Sequence, residues 1–330
     1  MSVGISRFER LKSGIRWLKR KIRGKVPYNH KQLFWRKTEV LRHYIWSRGV
    51  TIGKDGRVCI PVADILLAHE CNLKCEFCFY LHPFRSGIVP KEALFDSFEK
   101  WSHKAFPKRI VLTGGEPLLH PDIAEMVTAV RHYWQQSRCE IWTNGYLLPH
   151  TSDDILRVFA EQNASVFISQ HLDTEEFRDI LKQSLERLKQ FNIPYIVFEA
   201  FRDWRKDRRL DADGVPVPCQ SDPAMAHGHC TSKRNTLMHG DYMYRCNFLA
   251  HLSMAIHEGV AVPEWNRVLT HKPVTFESSP QEIRDYLCGG PMSECSVCPE
   301  TREIVESKQL SVEDVQRIKE LVRQRIQKAT

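Results

Sequence analysis

Three cysteines within eight residues constrain this chain more than anything else in it. The stretch from His69 to Tyr80 reads His-Glu-Cys-Asn-Leu-Lys-Cys-Glu-Phe-Cys-Phe-Tyr, with Cys71, Cys75 and Cys78 in the spacing Cys-x3-Cys-x2-Cys. Thiolates are soft ligands, and soft ligands in a tight loop favour zinc or an iron–sulfur cluster. Three of them leave a four-iron cluster one protein ligand short, so one iron stays open to a substrate or cofactor. Structural zinc needs a fourth Cys or His close by, and His69 and His82 are near enough in sequence to supply it.

The neighbouring sequence places this loop. Ala63–Ala68 reads as a short buried strand, so the cysteines follow its C-terminal end. A second strand, Arg109–Thr113, runs into Gly114-Gly115-Glu116-Pro117. Two glycines permit close approach of backbone to a ligand, and a glutamate can take an ammonium group. The tetrapeptide is equally readable as a strand-to-helix turn. Helical patterns near 91–105, 121–137, 152–162 and 174–190 separate strands near 63–68, 109–113, 138–143, 165–170 and 195–201. Such alternation predicts a parallel sheet with right-handed crossovers, whose sites gather at the C-terminal strand ends. Val50–Ile52 and Val58–Ile60, joined by Gly53-Lys54-Asp55-Gly56, predict a hairpin leading into it.

The cysteine spacing, with aromatic Phe77 before the third cysteine, resembles the signature loop of the radical S-adenosylmethionine (radical SAM) enzymes. Gly114-Gly115-Glu116 resembles that family's motif for the amino group of the methionine moiety. The resemblance implies an α/β fold: a partial (β/α) barrel of about five to six parallel strands, followed by a small α+β auxiliary-cluster domain. It implies a [4Fe–4S] cluster held by Cys71, Cys75, Cys78 and SAM, with cofactor contacts from Phe77, Tyr80, Gly114, Gly115 and Glu116. Thr143-Asn144-Gly145 resembles a common strand ending of the family, which makes Asn144 a cofactor contact. Ser169 matches a position whose hydroxyl contacts the methionine carboxylate or ribose. Two residues on, where many relatives carry an acid, this chain has His171. The fifth strand ends at Glu199 and Arg202, and Arg202 could pair with a cofactor carboxylate bidentately. His171 and Glu199 are the candidate catalytic groups; an ordinary exposed or ion-paired role stands beside each.

Six further cysteines follow: Cys219, Cys230, Cys246, Cys288, Cys295 and Cys298. Residues 237–245 read as a tight hairpin between Cys230 and Cys246, and Cys295 and Cys298 form a two-residue knuckle. Cys230, Cys246, Cys295 and Cys298 are enough for a second cluster, and zinc fits four thiolates equally well. Their spacing resembles the twitch domain, a shortened relative of the SPASM auxiliary-cluster domain. Cys288, ahead of Cys219, is the spare that could replace one of the four. The division this implies is 1–60 for two N-terminal helices and the hairpin, 61–215 for the core, 216–305 for the auxiliary domain and 306–330 for a last helix. The polar run 202–216 reads as a linker or mobile loop.

Composition narrows the class. Eleven cysteines clustered as ligand sets, with no signal-peptide pattern and no run of eighteen apolar residues, predict a reducing cytoplasm and no membrane span. Residues 1–26 hold nine basic side chains and one acid, and so carry the whole chain's net +8. Phe8, Leu11, Ile15, Leu18 and Ile22 share one helical face there. Such a helix could touch an anionic membrane surface, contact RNA, or pack on the body of the protein.

The core followed by a twitch-like region resembles the radical SAM dehydrogenases of aminocyclitol biosynthesis. The function implied is reductive SAM cleavage and hydrogen abstraction from a small polar substrate, a sugar- or cyclitol-like alcohol, with the auxiliary [4Fe–4S] cluster accepting an electron. A flavodoxin- or ferredoxin-type donor is the implied partner. Peptide modification, as in RiPP maturation, is the alternative within the class; a zinc-stapled RNA- or membrane-binding module is the alternative outside it. No nucleic-acid partner is expected, because the basic charge is confined to one segment instead of spread over the fold.

Overall fold

The computed structural model describes residues 49–329 except 231, 233 and 234. The basic segment 1–26 and both helices expected ahead of the hairpin lie outside the described residues.

The hairpin comes first, as β1 (Thr51–Ile52) and β2 (Val58–Ile60), paired antiparallel with Ile52 opposite Val58. The alternating part follows: β3 (Ala63–Ala68), α1 (Lys91–Ser102), β4 (Ala105–Pro107), β5 (Arg109–Gly114), α2 (Ile123–Tyr133) and β6 (Arg138–Thr143). It continues through α3 (Asp153–Glu161), β7 (Ser165–Ser169), α4 (Glu175–Gln190) and β8 (Tyr195–Phe198). Local chemistry fixes several helix starts. The Ser152 hydroxyl accepts from the Ile155 N–H at the start of α3, and Thr174 accepts from Phe177 at the start of α4. Each satisfies one of the N–H groups a helix leaves without an internal partner.

The main sheet has eight strands in the order β13-β12-β11-β3-β5-β6-β7-β8. All six residues of β3 are buried, as expected of a parallel strand covered on both faces. β3, β5, β6, β7 and β8 pair in parallel, β4 pairing instead with β2, and a sixth parallel strand, β11 (Thr236–His239), lies on the other edge of β3. Thr236 stands opposite Ala63 and Met238 opposite Ile65. The expected hairpin over 237–245 is present as β11 and β12 (Tyr242–Tyr244), and β13 (Val274–Thr275) extends it. The sheet therefore runs on across position 215.

The polar run 202–216 is not an open linker. It forms a small antiparallel pair, β9 (Arg209–Leu210) with β10 (Pro216–Val217), and buries Asp207 and Arg208. Beyond it come α5 (Pro223–His229), α6 (Asn247–His257), α7 (Pro280–Cys288) and α8 (Val312–Ala329). A second apolar core gathers Phe248 and Leu252 of α6, Trp265, and Val315, Ile318 and Val322 of α8. Those last three lie on one face of the C-terminal helix and hold it to the body. Among the described residues no helix is long and apolar enough to cross a membrane.

Candidate active site

A bulge between Leu66 and Ala68 at the end of β3 re-aims the chain into the cysteine loop. The loop is then pinned from two sides. On the sheet side, Gly115 N–H donates to the Ala68 carbonyl at 2.8 Å and Glu116 N–H to the Glu70 carbonyl at 3.0 Å. The glycines are required by this contact between two backbone segments: a Cβ on Gly114 would lie 2.6 Å from the Ala68 oxygen. On the opposite side, the extended segment before α8 lies antiparallel to the loop. Glu76 N–H donates to the Lys308 carbonyl at 2.9 Å and Leu310 N–H to the Lys74 carbonyl at 2.8 Å.

The three sulfurs face N–H donors. Cys71 Sγ has the Leu73 N–H at 3.4 Å and the Asn144 side-chain amide at 3.7 Å. Cys75 Sγ has the Gln309 amide nitrogen at 3.1 Å, and Cys78 Sγ is approached by the backbone of Tyr80 and His82. Burial raises all three thiols, Cys75 to about 12, and the neighbouring thiols add to it at Cys71 and Cys75. They therefore stay protonated at neutral pH until a cation takes them, and loading releases protons. Buried sulfurs with amide donors fit an iron–sulfur cluster. Among the described residues no three Cys, His, Asp or Glu side chains converge as the ligands of a single ion would. His69 and His82 are drawn into another network: His82 Nδ1 bonds the His69 carbonyl at 2.6 Å, and His69 Nδ1 bonds Arg85.

Glu116 is fully buried. Its carboxylate accepts from Thr143 Oγ1 at 2.7 Å, Asn144 N–H at 2.8 Å and Leu118 N–H at 3.0 Å. It thereby ties the end of β5 to the end of β6. Burial lifts it to about 7, against the pull of those donors. Gly145 turns the chain after Asn144 at φ 89°, a backbone region that favours glycine. Ser169 closes β7 two strands from Glu116.

A cavity of about 430 Å³ opens beside the loop. Phe77 and Tyr80, on either side of Cys78 in sequence, share the cavity lining with Trp204, Asp207, Cys230, Cys246 and Cys298. Cys298 is raised well above the usual thiol range by burial and then by Cys230, Cys246 and Cys295. Cys230, Cys246 and Cys295 are thus near enough to influence Cys298, without converging as the ligands of one ion would. Burial raises Cys288, beside Arg284 and Asp285, and Cys219, beside Arg209, Asp207 and Lys206.

The remaining candidates separate. His171 packs edge-on against Trp204 with ring centroids 5.0 Å apart; its Nδ1 is buried without a hydrogen bond, and burial lowers it to about 4. Glu199 and Arg202 pair with each other at 2.6 Å on the surface, with both side chains more than half exposed, and neither lines the cavity.

Sequence reasoning missed Asp207, Arg208 and Gln309. Both Asp207 oxygens are buried without a hydrogen bond, although Arg208 stands 3.5 Å away, and burial raises the acid to about 6. Arg208 Nη2 donates to the Cys78 carbonyl. No local pattern separates these residues from the charged run around them.

Residues 65–193 match the family model described as the Radical SAM superfamily. The GTP 3′,8-cyclase of Sulfurovum sp. (strain NBC37-1) is 33% identical over 97 residues, covering 28% of this chain and 29% of that protein. The probable GTP 3′,8-cyclase of Thermoplasma volcanium is 32% identical over 117 residues, covering 35% of each. The chain therefore matches only about a third of the length of these relatives. Among solved structures, BtrN in complex with AdoMet and 2-DOIA aligns at a TM-score of 0.41 and 16% identity, over 76% of this chain and 98% of that one. SuiB of Streptococcus suis bound to precursor peptide SuiA aligns at 0.36 and 12%, over 79% and 73%.

Proposed function

The chain carries a radical SAM domain at residues 65–193, and on that premise we propose that it cleaves S-adenosylmethionine reductively and abstracts hydrogen from a small polar substrate. Cys71, Cys75 and Cys78 would hold a [4Fe–4S] cluster. Bound there with SAM, the cluster supplies the electron that releases a 5′-deoxyadenosyl radical. Gly114, Gly115, Asn144 and Ser169 place the methionine end of SAM, and Glu116 orders the two strand ends around it. Phe77 and Tyr80 wall the reacting centre from water.

The observation that carries the reading further is the shared cavity. One space is bordered by the residues flanking Cys78 and by Cys230, Cys246 and Cys298. Cys230, Cys246, Cys295 and Cys298 supply four thiolates, so a cluster they held would have no open iron and would serve to accept an electron. A substrate seated in this cavity would lose a hydrogen atom to the radical, an electron to the second cluster and its hydroxyl proton to solvent, which together oxidise an alcohol to a ketone. We assign the substrate to sugar- or cyclitol-like alcohols on that ground. A ferredoxin- or flavodoxin-type protein would provide the first electron.

Dithionite and SAM added to the reconstituted protein should yield 5′-deoxyadenosine, and Cys75→Ala should abolish it. Equal turnover in both proteins contradicts the reading. For the oxidation, polyols deuterated at the carbinol carbon should pass deuterium into 5′-deoxyadenosine. Product that carries no deuterium removes the alcohol assignment.

A further inference from the structure

The segment that leads into α8 does more than cover the cysteine loop. It first pairs with the loop that lines the cavity, Val305 N–H donating to the Trp204 carbonyl at 3.0 Å and Lys206 N–H to the Glu303 carbonyl at 3.1 Å. It then reaches the cysteine loop, where Gln309 stands opposite Cys75 in an isolated antiparallel bridge. The Gln309 side chain is held by two opposed bonds. Its Oε1 accepts from the Lys74 N–H at 2.6 Å, and its Nε2 lies 3.1 Å from Cys75 Sγ.

The first bond decides the second. An amide presents one acceptor and one donor end, and which end is which must be assigned from its partners. The Lys74 N–H requires an acceptor, so the oxygen belongs there and the –NH2 must face the sulfur. Flanking backbone bonds from Glu76 and Leu310 keep the segment in register, so the donor is fixed before any cluster binds. Cys75 is buried, and its sulfur faces the Gln309 amide and its own backbone N–H, so Gln309 is the side chain that donates to it.

We propose that Gln309 is a positioning residue of the first cluster, whose amide donates to the Cys75 thiolate and raises the cluster's reduction potential. This rests on the assignment of Cys71, Cys75 and Cys78 as cluster ligands. A hydrogen bond to a ligand sulfur favours the state with more negative charge on the cluster, which is the reduced one. Bonds around metal ligands act in this way without touching the metal. The donor comes from more than two hundred residues downstream, so the C-terminal segment sets a property of a loop near the start of the core.

The test is the midpoint potential of the anaerobically reconstituted full-length protein, followed by electron paramagnetic resonance on the signal that changes when SAM is added. Iron content is measured first. Gln309→Leu removes the donor and should lower the equilibrium constant for reduction about tenfold, which is about 59 mV for a one-electron couple. Gln309→Glu keeps an oxygen for the Lys74 N–H and sets an acceptor against the sulfur, so its potential should fall below that of Gln309→Leu. Should Gln309→Leu fail to fold, the glutamate variant alone decides, because it preserves the loop contact. Fully loaded variants with the wild-type potential overturn the proposal. A wild-type protein that takes up no iron overturns the cluster assignment, and this proposal with it.

Discussion

Gly115 stands so close to Glu70 that a Cβ on it would lie 1.9 Å from the Glu70 carbonyl oxygen. The end of β5 and the entry to the cysteine loop are therefore fitted to each other through backbone alone. The obstructing atom is main chain, which cannot swing aside as the tip of a long side chain can. Gly115→Ala should push the loop out of place and cost about 1–3 kcal/mol or more, as overpacking does. Chemical denaturation should show the loss, and iron uptake should fall by the share that Cys71, Cys75 and Cys78 hold. Full iron loading in this variant would mean that the loop tolerates displacement.

Much of this site was legible in the sequence because its parts are local. Cysteine spacing, the glycine pair and the alternation of apolar runs with helical stretches all act over fewer than twenty residues. β3, β5, β6, β7 and β8 fall within a few residues of expectation for the same reason, whereas the short β4 was not foreseen. What escaped depends on distant pairing. β11 joins β3 across more than 170 residues, and nothing in Thr236–His239 marks it as a strand of the main sheet. Gln309 meets Cys75 only after the chain returns past the cavity. Asp207 and Arg208 sit in a run so charged that it reads as solvated, yet the fold buries both.

Arg85 supplies a test of that hidden packing. Its guanidinium is fully buried and forks onto Glu258, at 2.8 Å from Nε and 2.6 Å from Nη2, while Nη1 meets His251 at 3.0 Å. Burial, and then the Arg85 charge, lower His251 far below the usual range, so this imidazole stays neutral beside the cation. Glu258→Ala would leave the buried charge without its counter-ion. Glu258 itself is partly exposed, so water can reach the vacated place and a loss of about 1–3 kcal/mol is expected for the unpaired Arg85 donors. Urea denaturation measures it; a loss below about 1 kcal/mol would mean the pair is worth no more than a surface one.

Buried carboxyls, Asp64 and Glu116 among them, give the apoprotein a pH signature. Burial raises Asp64 to about 7 even though Asn247 donates to it, and Glu116 likewise to about 7. Each binds its proton more tightly when folded, so its contribution is complete below the unfolded value near 4. That contribution declines as pH rises and is lost by the time pH passes 7. The buried His82 and His171 are lowered, to about 3 and about 4, and act with the opposite sign below 6.5. Comparison with variants isolates the acids. The stability gap between Asp64→Asn and wild type should shift in favour of the variant from pH 5 to pH 8, by on the order of 1–3 kcal/mol. A gap that does not move with pH would place Asp64 ionised throughout.

Counting iron tests the two ligand sets most directly. Anaerobic reconstitution of the full-length protein should give about eight irons per chain, four for each set of cysteines. Replacing Cys71, Cys75 and Cys78 with alanine should leave about four, and replacing Cys230, Cys246, Cys295 and Cys298 should also leave about four. Stoichiometric zinc with no iron uptake in protein purified without oxygen would contradict both assignments.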